Sequence, residues 1–114
     1  MPVRYYISLK DPKQARGDDP ALSFDAHGAE AFASQLQDAL RGGALFERWL
    51  KAQDDPDAID PSLGATDPEA TVRGEQDDLH IDLIVVTSIP GSVLKHRLRL
   101  LAGNGWELRD VSAA

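Results

Sequence analysis

Val3, Tyr5, Ile7 and Leu9 alternate with Arg4, Tyr6, Ser8 and Lys10 near the start of the chain. A period of two with one apolar side predicts a half-buried strand. The polar stretch after it holds Gly17 and two Asp-Pro steps, Asp11-Pro12 and Asp19-Pro20, and reads as a loop. Beyond it the period lengthens. Ala29, Phe32, Ala33, Leu36 and Leu40 recur at helical spacing, with Asp25 available as an N-cap and Gly42-Gly43 as the interruption. Leu45, Phe46, Trp49 and Leu50 form a second apolar stripe, so the helix either kinks at the glycines or restarts beyond them, and Asp54-Asp55-Pro56 ends it.

An acidic, proline-rich connection spans about residues 54–69. Within it Asp55, Asp60 and Asp67 each precede a proline. Such steps favour turns and short helix starts, because Asp can cap while Pro supplies the fixed φ of a first helical residue. Irregular, mobile structure is expected, with one helical turn from Pro68. Two strands come next, "ATVRGEQ" and "LHIDLIVVT", joined by a turn within Gly74 to Asp78. In the second, Leu79, Ile81, Leu83 and Val85 share one face, while Ile84 and Val86 make its far end apolar on both. That marks an interior strand, or one whose second face meets something.

"PGSVLKHRLRLLA" predicts a helix with Ser88 or Ser92 as its cap, Leu94, Leu98 and Leu101 inward, and Gly103 as its stop. Lys95, His96, Arg97 and Arg99 lie toward its C-terminal half, where the helix dipole favours cations. "GNGWELRDV" then reads as a closing edge strand. Its glycines and Asn104 tolerate positive φ in the turn, Trp106 and Leu108 point inward with Trp106 as core anchor, and Glu107 and Arg109 face water.

The order is strand, helix, strand, strand, helix, strand. Right-handed crossovers place the first and third strands side by side in the middle of an antiparallel sheet, with both helices on one face. The expected class is α+β, a four-stranded antiparallel sheet in the ferredoxin-like βαββαβ order. A chain of 114 residues suits one such domain, residues 1–114, with the acidic connection inside it. That order serves many unrelated functions.

Leu98 and Leu101 followed by Gly105, Trp106, Glu107 and Leu108 resemble the end of a family of small, uncharacterised bacterial domains, in which a leucine-rich helix runs through a glycine into Gly-Trp-Glu-Leu. The resemblance covers about the last third of the chain. It implies a fold rather than an activity.

Charge changes the picture by its placement. Residues 1–53 carry seven basic and seven acidic side chains, residues 54–82 one basic and ten acidic, and residues 83–114 four basic and two acidic. The net charge of −7 therefore belongs to the middle third. A field of that sign repels phosphate backbones, so nucleic-acid binding, even through the basic helix at 95–99, is disfavoured. With no cysteine the chain has neither disulfides nor thiolate metal ligands, which fits a cytoplasmic setting. No apolar run approaches the ~20 residues of a membrane span.

Candidate chemistry is sparse. Asp78, His80 and Asp82 alternate along one strand face, an arrangement suited to a metal with oxygen and nitrogen ligands or to a histidine oriented by a carboxylate. The ordinary explanation is a solvated polar face, and no cofactor or metal is expected. Asp54, Asp55, Asp57 and Asp60 lack the spacing of a calcium loop. The uncovered sheet face is expected to carry Tyr6, Ile84 and Val86, and an apolar group on an open face marks a contact surface. The expected function is a non-catalytic protein-interaction module of adaptor, regulatory or inhibitor type. It pairs with itself as a homodimer, and a further protein partner is compatible. The alternative is a small cofactor-free enzyme or ligand-binding protein of the dimeric α+β barrel type, with His80 and Tyr6 lining its cavity.

Overall fold

The computed structural model describes residues 2–114. Strand β1 (Val3–Leu9) is followed by helices α1 (Ala29–Arg41) and α2 (Ala44–Lys51), strands β2 (Thr71–Asp77) and β3 (His80–Thr87), helix α3 (Gly91–Ala102) and strand β4 (Glu107–Ala113). The chain is α+β: the strands form one four-stranded antiparallel sheet in the order β2-β3-β1-β4. The two most apolar strands lie in its middle, paired Tyr5 to Val85, Ile7 to Leu83 and Leu9 to Ile81. These residues are buried, as are Phe32, Ala33, Leu36 and Leu40 of α1 and Val93, Leu94, Leu98 and Leu101 of α3, all in one core cluster. Each large aliphatic group buried there contributes about 1.5–3 kcal/mol. No helix among the described residues is long and apolar enough to cross a membrane.

The helix ends differ from the sequence expectation in instructive ways. At Gly42-Gly43 the chain restarts rather than kinks, since Gly42 is extended and α2 begins at Ala44. Asp25 does not cap α1; the helix starts only after Gly28, without a side-chain cap. The reason is packing. Phe24 and Ala26 are drawn into the core, with the Phe24 ring edge-on to Phe32 at 5.0 Å, and the chain stays non-helical until that is done. Neither Ser88 nor Ser92 caps α3, whose N-cap is Pro90.

The loop before α1 is docked. The N–H groups of Gly17 and Phe24 donate to the Leu101 carbonyl at 3.1 and 2.8 Å, and so supply donors that the end of α3 lacks within the helix. The glycines of "GNGW" serve this contact. Gly103 has φ 58, the left-handed region. Gly105 is needed for closeness instead: a Cβ there would lie 2.4 Å from the Gln14 carbonyl oxygen. Asn104 takes no positive φ. Trp106 is half-buried rather than central; it packs against the core's rim and its indole N–H donates to the Gly103 carbonyl at 3.0 Å. The strand itself starts one residue later.

The acidic connection divides in two. Short 3-10 turns form at Pro56–Ala58 and Pro61–Gly64, after Asp55 and Asp60, while Pro68 enters only a turn. Residues 54–58 are exposed, but the second half of the connection is stitched to the core. The Asp67 N–H donates to the Leu40 carbonyl at 2.8 Å, and Arg41 Nε donates to the Ala70 carbonyl at 2.7 Å. From α3, the fully buried Arg97 guanidinium donates to the carbonyls of Ala39 at 2.9 Å, Leu63 at 3.1 Å and Ala65. Charge and proline content predict a uniformly mobile segment; the bare carbonyls at the end of α1 hold half of it in place.

Asp67 closes this seam to the sheet, accepting from the Thr87 hydroxyl at 2.9 Å and the Ser88 N–H at 3.0 Å. The Ser88 amide, with help from Thr87, holds the Asp67 carboxyl below its ordinary value. A carboxyl depressed in the folded state stabilises above its unfolded pKa of about 3.9, and that contribution is lost as pH falls through the lower folded value. Asp67→Asn is therefore expected to cost roughly 1–2 kcal/mol at pH 7, the scale of charge-assisted hydrogen bonds, with the gap to wild type narrowing at pH 3. Urea melts at the two pH values check this, and an equal gap at both would remove the role of the charge.

Candidate functional site

Helices α1 and α3 take one face of the sheet, and the other carries the residues of interest. Tyr6 pairs directly with Ile84, Arg4 with Val86 and Ser8 with Asp82. Tyr6, Ile84 and Val86 are half-buried, so the neighbouring strands already remove much of their surface from water. A shallow hollow of about 640 Å³ lies across this face, spanning Tyr6, Lys10, His80, Asp82, Ile84 and Arg109. Val86 lies outside its lining. The predicted interaction residues and the predicted polar residues thus share one surface.

The hairpin between β2 and β3 changes the polar group. Its turn is Asp78-Leu79, flanked by the paired residues Asp77 and His80. Asp78 has φ 55, a conformation that aspartate accepts better than most residues because its short side chain can bond locally. The Gln76 side-chain amide donates to the carbonyls of Asp78 and His80, both at 3.0 Å, and ties the turn. Two sequence expectations are corrected here. Leu79 is not on the core face but 81% exposed at the hairpin tip, because the strand ends at His80 although the apolar alternation continues past it. Asp78 belongs to the turn, not the strand face, and Asp77 takes its place beside His80. His80 Nε2 stands 3.7 Å from Asp77 Oδ2 and 3.4 Å from Asp82 Oδ2.

Ion pairs frame the hollow. Lys10 meets Glu107 at 3.0 Å and holds that carboxyl below its ordinary value; Arg109 approaches the same carboxylate at 3.5 Å, and Arg73 meets Glu75 at 3.4 Å. The pairing of β1 with β4 shifts register between Tyr6 and Ile7, so that Arg109 is the extra residue of a bulge. One end of the face carries Arg4 and Arg73 beside Val86 and Ile84. The other carries Glu75, Asp77, Asp82 and Glu107 around His80 and Lys10.

The basic helix is not a basic surface. Arg97 is buried, and His96 is half-buried with its ring edge-on to Trp49 at 4.5 Å. Burial, then the charges of Arg97 and Arg99, push His96 below its ordinary pKa, so it is neutral at pH 7. Lys95 and Arg99 remain as the exposed cations of that stretch. Asp54, Asp55, Asp57 and Asp60 lie exposed along the first half of the connection and form no converging ligand group. Sequence reading missed Asp77 and Glu75 on the open face; a two-residue turn at Asp78-Leu79 would have placed Asp77 opposite His80. It placed Arg109 facing water by alternation, while the bulge at that residue leaves no mark in the pattern.

The turn geometry is testable. Asp78→Gly should hold or slightly raise stability, while Asp78→Val should cost about 1–2 kcal/mol, the penalty of a left-handed conformation for a residue that resists it. Thermal melts of both variants decide; a valine variant as stable as wild type would mean the turn is elsewhere.

Comparison with protein-family models, curated proteins and solved structures finds no match to this chain, so the site is read from its own residues.

Proposed function

We propose that this chain is a non-catalytic protein-interaction module that pairs with a second copy of itself through the open sheet face. The observation that carries the reading is the Tyr6-Ile84 cross-strand pair beside Val86, an apolar group on the face that no helix takes. Contiguous apolar groups on an open face gain by being covered, at ~25 cal/mol per Å². Charge supports the choice of a second copy as partner. A twofold axis lying in the interface, perpendicular to the strands, sets the Arg4 and Arg73 end of one protomer over the carboxylate end of the other, and the match is made twice by symmetry. The strand order β2-β3-β1-β4 with helices on one side supports naming the architecture ferredoxin-like.

A second reading has its own observation. The hollow of about 640 Å³ has the volume of a small-molecule site, and His80 and Tyr6 line it, which favours a ligand-binding or cofactor-free enzymatic role for the paired sheets. Tight packing of the two faces favours the first reading, and an enclosed cavity between them the second.

Sedimentation equilibrium from micromolar to millimolar chain concentration tests self-association. Wild type is expected to shift from monomer to dimer, and Ile84→Lys with Val86→Lys to remain monomeric with an unchanged circular dichroism spectrum, since the helix-covered core is untouched. A wild type that stays monomeric at millimolar concentration overturns the reading.

A further inference from the structure

We propose that Asp77, His80 and Asp82 form a binding site for a divalent transition-metal ion at the edge of the open sheet face. The proposal does not depend on self-association. One imidazole nitrogen and two carboxylate oxygens lie within 4.8 Å of one another, and among the described residues no other group of three such ligands converges. A backbone already paired for other reasons delivers them. His80 and Asp82 are two apart on β3 and so project to the same side, and Asp77 is the cross-strand partner of His80. The short turn and the Gln76 hydrogen bonds fix that pairing.

The separations match those of ligands that share one ion. His80 Nε2 is 3.4 Å from one carboxylate and 3.7 Å from the other, and it hydrogen-bonds to neither. Hydrogen-bonded pairs of this kind stand about 2.7–3.2 Å apart. Four donors held tetrahedrally at about 2.1 Å from a zinc ion stand about 3.4 Å from one another. The imidazole nitrogen thus faces both carboxylates at the spacing of ligands sharing an ion. The donor set also selects the class of ion. A nitrogen with carboxylate oxygens suits zinc and its first-row neighbours, whereas calcium and magnesium take oxygen ligands. Lys10, which lines the same hollow, is engaged by Glu107 at 3.0 Å. Three protein ligands leave a fourth coordination position for water.

Titration of the full chain with zinc chloride, monitored by calorimetry and by the histidine ring resonances, is the test. One ion per chain is expected, with the His80 ring signals moving on binding and those of His27 and His96 staying in place. His80→Ala and Asp82→Asn should each weaken binding by about a hundredfold, the upper range for loss of a mere supporting contact, while Asp78→Asn should bind as wild type does. Circular dichroism confirms that the variants fold. A wild type without saturable zinc binding overturns the proposal. So does zinc binding unaffected by His80→Ala, or magnesium binding as tight as zinc, either of which would reduce the group to a patch of negative charge.

Discussion

The fold depends on one buried cation. Arg97 enters the interior from α3 without a carboxylate partner, and its two terminal nitrogens donate hydrogen bonds to three backbone carbonyls, those of Ala39, Leu63 and Ala65. Burial lowers its pKa, yet guanidinium stays protonated. Carbonyl oxygens at the end of α1 carry the negative end of that helix's dipole, which offsets part of the cost of removing the charge from water. The arrangement ties α1, the acidic connection and α3 together at one point. It also explains how a segment so rich in charge and proline can pack at all: its backbone carbonyls meet Arg97, and the side chains of Leu63, Ala65 and Asp67 add their own contacts.

The effect of this clamp reaches the sheet. Once the second half of the connection is held, Asp67 lies where its carboxylate accepts from Thr87 and Ser88, and β2 begins where the Gln37 side chain accepts from the Val72 N–H at 3.1 Å. The edge of the sheet is thereby set against α1. Helices, loop and connection are all spent on one face, and the other is left to Tyr6, Ile84, Val86 and the His80 group. Self-association and metal binding are therefore proposed for the same surface for one reason: it is where the chain has side chains with unused capacity.

Much of the architecture was legible because strand alternation and helical periodicity coincide with real burial. Ile7, Leu83, Leu36 and Leu98 are interior residues both by pattern and in the fold. The errors arose where tertiary contacts override local pattern. Leu79 continues the alternation of β3 but is exposed because a turn claims it. Trp106 sits at the rim, just after the glycine that packs against the Gln14 carbonyl. Arg97 is the most telling case. It occupies the inward position between Val93, Leu94, Leu98 and Leu101, so its spacing marked it as interior while its charge argued for the surface. Of the open face, Tyr6, Ile84, His80, Asp82 and Arg109 were legible from alternation; Asp77 needed the turn, which a strand pattern does not record.

Amide hydrogen exchange on Arg97→Met tests the clamp most directly. Methionine fills similar space but offers no donors, so three carbonyls, one buried and two part-buried, lose their partner, a loss on the order of 3–5 kcal/mol. The Asp67 and Ala70 amides are then expected to exchange quickly at conditions where those of β1 and β3 remain protected. An Arg97→Met protein that keeps wild-type protection at Asp67 and Ala70, with stability within about 0.5 kcal/mol of wild type, would contradict the account.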